Sequence, residues 1–423
     1  MKYTAIDRQR QIYLNGVTGT VPVVPQDAAR LEQALKARLQ PEAYAYLTGG
    51  AGQGSTMRNN RKAFERWRII PRMLRNVEQR DTTTTLLGMQ LPAPMLLAPI
   101  GVLDLAHPDA DLAVARACSN MGIPYIFSNQ ASNTMEACAA QMSDTPRWFQ
   151  LYWSKHDELV QSFVSRAENC GCTALVVTLD TTMLGWRVQD LDLGYLPFLR
   201  GRGIAQYTAD PVFLSLLDDY IPESATRRIT REAVDVLLEA LRNFPGHSLL
   251  AKLRSGKPLK AVQLFIDIYS RPSLTWDDLA KLRQMTQLPI LLKGILHPAD
   301  AQLALDYGMD GIIVSNHGGR QVEGAIATLD ALPPIAKVIN KRIPILLDSG
   351  VRSGSDIFKA LALGADAVCL GRPYTYGLAL GGQEGVEEVL QNFVADFELT
   401  LGLAGCASLA DIRSDMLVSV ADY

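Results

Sequence analysis

Three things are scarce in these 423 residues: net charge, long apolar runs and cysteine. The 41 Lys and Arg stand against 44 Asp and Glu, for a formal charge of −3. That gives no global basic field for nucleic acid or a membrane surface, though local patches stay open, and no nucleic-acid partner is expected. No stretch approaches the roughly 18 apolar residues of a membrane span. The six cysteines, at 118, 138, 170, 172, 369 and 406, fall mostly in apolar helix or strand contexts. Buried free thiols in a reducing compartment suit them better than a disulfide framework. Cys170-Gly171-Cys172 is isolated, and no metal site is expected. The first eight residues have no apolar signal-peptide core, and Val420 to Tyr423 is not the peroxisomal Ser-Lys-Leu type. The cytoplasm is the expected location.

What is present is a large core: 48% of the residues are hydrophobic and 20% charged, as in a globular protein. From residue 95 a repeat sets in. Apolar runs at 95–101, 124–129, 147–152, 174–180, 289–294, 311–316, 344–350 and 367–373 alternate with helical patterns. Each run reads as buried on both faces, as parallel strands require. Eight such units predict a closed (β/α)8 barrel, and a doubly wound sheet is the runner-up.

Residues 1–94 read as an N-terminal extension packing on the barrel. It comprises a surface arm over 1–25, a helix to about Leu39, a close-approach loop after Tyr46 and a small hairpin over 82–92. The barrel is expected over 95–405, and 406–423 as a C-terminal tail. Between the fourth and fifth strands lie residues 181–288, where a usual unit needs on the order of 30. The excess, about 188–272, is expected to form a lid-like insertion.

The ends of the runs carry the polar chemistry. In a barrel they converge on one mouth. Ser315-Asn316-His317-Gly318-Gly319-Arg320-Gln321 follows the sixth run. It offers a base that works near neutral pH and, three residues on, a fork that clamps a carboxylate. That pairing suggests proton abstraction from a small acid; for a lone histidine, a polar strand cap is the alternative. Gly101 permits close approach of a planar ring, while Ser128, Gln150 and Thr178 suit the edge of a heterocycle. Lys293 can stabilise negative charge on such a ring, or pair inside the barrel with Asp180 or Asp348. Asp348-Ser349-Gly350-Val351-Arg352 and Gly371-Arg372 end the seventh and eighth runs, where barrels commonly bind phosphate.

The Ser315–Gln321 segment resembles the active-site signature of the FMN-dependent α-hydroxy acid oxidases and dehydrogenases. Leu292-Lys293-Gly294, Thr178-Leu179-Asp180, Gln150-Leu151-Tyr152, Asp348 to Arg352 and Gly371-Arg372-Pro373 match that family's other motifs in order. The resemblance runs from about residue 30 to 420. Within the family it points to the lactate 2-monooxygenase branch, through Leu97 to Leu103, Asp190 to Leu199 and the long insertion.

The resemblance implies FMN as cofactor, with a small L-2-hydroxy acid, most simply L-lactate, and O2 as partners. The implied outcome is oxidative decarboxylation to acetate, CO2 and water. Alternatives are an oxidase releasing pyruvate and H2O2, or a quinone-linked lactate dehydrogenase. It implies His317 as base, with Asp180 stabilising the imidazolium. Arg187, Arg320 and the Tyr46 hydroxyl would bind the substrate carboxylate, and Tyr152 the substrate hydroxyl. Lys293 would stabilise the reduced cofactor, Arg352 and Arg372 its phosphate, and Asp348 its ribityl chain. Pro99, Ile100, Gly101, Ser128, Gln150, Thr178, Ser315, Ser349, Gly350 and Gly371 complete the expected cofactor site. The family often has Ala at the position of Gly101 and Gly at that of Ser349; the missing Cβ of Gly101 is read as room for product and peroxide together. A homotetramer or homo-octamer is expected.

Overall fold

The computed structural model describes residues 4–222 and 230–420. The last three residues of the expected tail and residues 223–229 of the expected insertion lie outside this description. Eight parallel strands close into a barrel. In chain order they are β1 (Met95–Leu97), β2 (Tyr125–Phe127), β3 (Arg147–Leu151), β4 (Leu175–Thr178), β5 (Ile290–Ile295), β6 (Gly311–Val314), β7 (Ile345–Leu347) and β8 (Ala367–Leu370). Each pairs with the next, and β8 pairs with β1 through Cys369 and Leu96. This is the predicted (β/α)8 fold.

The two-residue period of a strand sorts its side chains. Leu96, Ile126, Trp148, Val176, Leu291, Ile313, Leu346 and Cys369 belong to one buried cluster that fills the barrel. Leu86 and Leu91, from the hairpin Thr84–Leu86 and Met89–Leu91, join the same cluster and close the amino-terminal end. Two residues further along each strand, the same row continues as Ala98, Ser128, Gln150, Thr178, Lys293, Ser315, Asp348 and Gly371. The barrel is therefore apolar through its middle and mostly polar at its carboxyl end. Outside, a second and larger core binds the strands to the surrounding helices.

Several elements differ from the sequence expectation. The surface arm is ordered as a helix, Ala5–Val17, because Thr4 and Asp7 close a reciprocal capping box. Its Arg8 pairs with Glu388 at 3.2 Å on the C-terminal helix. A helix at Thr328–Ile339, hidden in the sequence by Pro333-Pro334, follows β6. The C-terminal helix begins at Arg372 and reaches Leu403, broken at Gly381-Gly382 where φ/ψ leaves the helical region. In the C-terminal segment, Leu417–Ser419 pairs antiparallel with Trp67–Ile69.

The long excursion after β4 is helical rather than loop-like, with pieces at Val188–Asp192, Ala205–Thr208, Pro211–Asp219, Arg231–Asn243, Leu249–Ser255 and Lys257–Ile268. An aromatic cluster fastens it down. Tyr207 meets Phe163 of the barrel helix Asp157–Asn169 at 5.0 Å and Phe265 at 4.8 Å, both edge to face. Phe265 also contacts Phe198 at 5.3 Å and stacks on Tyr269 at 5.1 Å. Phe198 and Tyr269 reach the mouth of the barrel.

The break at Gly381-Gly382 folds the two halves of the C-terminal helix together, so that Gly377 and Gly385 meet backbone to backbone. A Cβ on Gly385 would overlap the Gly377 carbonyl. Gly385→Ala is expected to cost about 1–3 kcal/mol, as overpacking does. Thermal unfolding of the cofactor-loaded protein checks this, and an unchanged midpoint contradicts the close crossing.

Candidate active site

At the carboxyl end of the barrel lies an unfilled space of about 1050 Å³. It is open to solvent on one side. The structure brings most of the expected site residues onto its wall: Tyr46, Pro99, Ile100, Gly101, Tyr152, Arg187, Lys293, His317, Arg320, Asp348, Ser349, Gly350, Arg352, Gly371 and Arg372. Ser128, Gln150, Thr178 and Ser315 stand behind the wall in the polar top layer of the barrel, and Asp180 lies against His317.

That layer is a chain of buried hydrogen bonds. Ser128 Oγ donates to Gln150 Oε1 at 3.3 Å, and Gln150 Nε2 donates to Thr178 Oγ1 at 3.0 Å. Lys293, 4% exposed, donates to Ser315 Oγ at 2.8 Å and pairs with Asp348 Oδ2 at 3.2 Å. Its Nζ lies 4.0 Å from Asp180 Oδ2. Both alternatives for Lys293 thus hold together: it is a paired interior cation and it faces the cavity. Burial alone would discharge it, but Asp348 and Asp180 outweigh burial and hold it protonated.

His317 sits in the left-handed region, φ 57°, where only a well-determined surround holds a non-glycine residue. Its backbone N–H donates to Ser315 Oγ at 3.1 Å, and its Nδ1 is 2.7 Å from Asp180 Oδ1. Gly294 makes the approach possible: a Cβ there would lie 2.9 Å from Asp180 Cβ. For Asp180, burial pushes the carboxyl up, yet His317 and Lys293 overcome it and bring the pKa down to about 2. For His317, burial lowers the pKa, opposed by Asp180 and reinforced by Lys293 and Arg187. At neutral pH the pair is an ionised carboxylate and a neutral imidazole.

Two arginines face this pair. Arg320 and Arg187 lie over the Tyr46 ring, with guanidinium carbons 4.9 and 6.0 Å from its centroid. Arg320 Nη1 donates to the Tyr46 carbonyl at 2.5 Å and to the Gly49 carbonyl at 3.0 Å. Arg187 Nη2 donates to Gln321 Oε1 at 3.2 Å. Burial and the neighbouring Arg187 pull the Arg320 pKa down to about 9. Arginine does not give up its proton in proteins, so two buried guanidinium groups side by side favour an anion between them.

A second cationic corner lies at the ends of β7 and β8. Arg372 donates to the carbonyls of Gly318 at 2.8 Å and Gly49 at 2.7 Å, and its buried Nε has no partner. Arg352 opens to solvent beside it. Among the described residues, none of Arg187, Arg320, Arg352 and Arg372 has a carboxylate within 4.0 Å. Arg320 Nη1 and Arg372 Nη2 share the Gly49 carbonyl oxygen, so the four guanidinium groups form one continuous cationic stretch of the cavity wall that favours anionic groups. An orphaned guanidinium N–H beside the Ser349–Arg352 loop fits a phosphate.

Ser349 does more than supply a loop amide. It holds φ 72°, a conformation costing a non-glycine residue about 1–3 kcal/mol. Its hydroxyl donates to Asp348 Oδ1 at 2.7 Å and accepts from Gly318 N–H at 2.9 Å, joining two strand ends. Gly101 needs a correction. The space its missing Cβ leaves is not pocket: a Cβ there would meet the Gln130 carbonyl oxygen at 3.0 Å and its Cβ at 3.1 Å.

Sequence reasoning missed Gln130, Thr181, Leu184, Phe198 and Tyr269, all on the cavity wall. Thr181 follows Asp180 directly, so its neighbour was a signal. Phe198 lay within the Asp190–Leu199 stretch of the resemblance without a role assigned to it, and Tyr269 carried no signal, since the tertiary packing of the insertion brings it to the mouth.

A barrel with a polar top, a carboxylate–imidazole pair and a row of unpaired guanidinium groups fits an enzyme that acts on a small acid and holds an anionic cofactor. The model of the FMN-dependent dehydrogenase family matches residues 35–419. The chain is 40% identical over 407 residues to an L-lactate oxidase of Lysinibacillus sphaericus, covering 96% of each protein. It is 38% identical to 2-hydroxyacid oxidase 1 of Mus musculus, covering 91% of this chain and 94% of that one. A crystal structure of mandelate oxidase with (S)-4-hydroxymandelic acid superposes with a TM-score of 0.75 at 34% identity, over 92% of this chain and 97% of that one. The protein belongs to the FMN-dependent α-hydroxy acid dehydrogenase family, and its cofactor is FMN.

Arg372→Ala should weaken FMN binding about 10- to 100-fold, the worth of a charge-assisted hydrogen bond of about 1.5–3 kcal/mol. Titrating flavin-free protein with FMN and following flavin fluorescence checks this. Unchanged affinity would move the phosphate elsewhere.

Proposed function

We propose that this enzyme oxidises a small L-2-hydroxy acid, most simply L-lactate, with O2 as acceptor. The single observation that carries the reading is that His317, backed by Asp180, lines the same cavity as Arg187 and Arg320. FMN, when bound, takes two electrons from the substrate and passes them to the acceptor. Arg187 and Arg320 clamp the substrate carboxylate, with Tyr46 beneath both. Tyr152 orients the substrate hydroxyl. His317 Nε2 accepts the proton that leaves the substrate, and Asp180 stabilises the resulting imidazolium. Lys293 balances negative charge on the reduced cofactor. Asp348 serves the ribityl chain, and Arg352 and Arg372 hold the phosphate against the Ser349–Gly350 and Gly371 backbone. Pro99, Ile100, Gly101, Ser128, Gln150, Thr178 and Ser315 frame the ring.

The further outcome proposed is oxidative decarboxylation, lactate and O2 giving acetate, CO2 and water. The insertion supports it. Leu184, Phe198 and Tyr269 form an apolar wall over the substrate corner, and such covers often control product release. A retained 2-oxo acid would meet the peroxide formed beside it. With the Gly101 space filled by Gln130, this wall and not the missing Cβ carries the argument. The alternative, release of pyruvate and H2O2, is favoured by the relatives named L-lactate oxidase.

Two outcomes are expected. With L-lactate at saturating O2, acetate and CO2 should be the main products with little free H2O2; stoichiometric pyruvate and H2O2 would leave an oxidase only. The kcat/KM profile should be level through neutral pH and fall on the acid side, with a midpoint below 6.5, since a lowered His317 pKa keeps the free base populated until then. A midpoint above 6.5 would show that Asp180 outweighs burial at His317 or that another group titrates; loss of the limb in His317→Gln tells these apart.

A further inference from the structure

We propose that Thr181 is a positioning residue that keeps Asp180 on His317 and away from Lys293; this rests on the reading of His317 as the base. Three atoms form a triangle at the end of β4. Thr181 Oγ1 donates to Asp180 Oδ1 at 3.0 Å and lies 3.2 Å from His317 Nδ1, while Nδ1 and Oδ1 are 2.7 Å apart. The protons can be placed in only one way. With the hydroxyl proton spent on Oδ1, a bare Nδ1 would set its lone pair against a carboxylate oxygen. Nδ1 must therefore carry hydrogen, and the free base must be Nε2.

The triangle also settles a competition. Asp180 Oδ2 is buried without a hydrogen-bond partner, and the Lys293 ammonium is 4.0 Å from it. Lys293 already uses donors on Ser315 and Asp348, which leaves a third. A turn of the Asp180 carboxylate would hand it to Lys293 and leave the imidazole unsupported. Oδ1 is held by two donors, the Nδ1–H of His317 and the Thr181 hydroxyl, and the hydroxyl is the one that anchors the carboxylate independently of the imidazole. Thr181 is itself 5% exposed, and β-branching leaves it few rotamers. Besides Lys293, the charged and titratable groups that act on the pair are Arg187 and, after β3, Tyr152, whose hydroxyl also adjoins Thr181. None of them donates a hydrogen bond to Asp180 Oδ1.

The test uses full-length FMN-loaded enzyme and anaerobic stopped-flow reduction by L-lactate between about pH 5 and 9. Thr181→Val removes the hydroxyl at constant shape. The reduction rate on the plateau should fall about 10-fold or more, a part of the about 10²–10⁴-fold that a positioned base contributes. The acid limb should move to lower pH, because support from Asp180 raises the His317 pKa and that support is lost. Thr181→Ser should restore both rate and limb. If Thr181→Val does not hold FMN, Thr181→Ala carries the same comparison. An unchanged plateau, a limb that moves to higher pH, a loss found wholly in lactate binding, or failure of Ser to rescue would each overturn the proposal. His317→Gln separates the two readings: normal reduction in that variant removes His317 as base, whatever Thr181 does.

Discussion

One buried ammonium group organises the mouth of this barrel. Lys293 is almost without solvent, where an unpaired charge would not survive. It is kept charged by Asp348 from β7 and Asp180 from β4. Its third neighbour, Ser315 Oγ, in turn accepts the backbone N–H of His317. Three strand ends are therefore fixed relative to one another by the need to satisfy one cation. The imidazole takes its strained backbone from this arrangement, and the Asp180 carboxylate takes its low pKa partly from it. Removing Lys293 would leave two buried carboxylates with too little positive charge between them.

The same alternation that buries Leu291 places Lys293, and what buries Ile313 places Ser315. This is why so much of the site was legible before the fold was known. A strand has a period of two, and a (β/α)8 barrel uses only its carboxyl end. Eight apolar runs with polar termini thus named nearly the whole inner ring. The resemblance to a known family then gave the loop residues, Arg187 and Tyr46 among them, that periodicity could not reach.

What stayed hidden depended on distance or on backbone. Phe198 and Tyr269 come from an insertion whose path is set by an aromatic cluster, and no local pattern says where that cluster lands. The Ala5–Val17 helix looked like a polar arm because its reason to exist, a capping box and an ion pair to Glu388, lies partly at the other end of the chain. Gly101 was read as empty space because a glycine in a sequence says only that a Cβ is absent. The direction in which it is absent, toward Gln130, is a tertiary fact.

The hairpin that closes the amino-terminal end has a bearing on traffic. With Leu86 and Leu91 below and a ring of apolar side chains above them, the interior of the barrel is solid. The cavity is a cul-de-sac. Closed below, the cavity faces solvent at the carboxyl end, where the insertion lines one part of the rim and the exposed Arg352 another. In such a vestibule the order of passage is itself a chemical choice. Whatever lingers at that rim decides what the next molecule to arrive can reach.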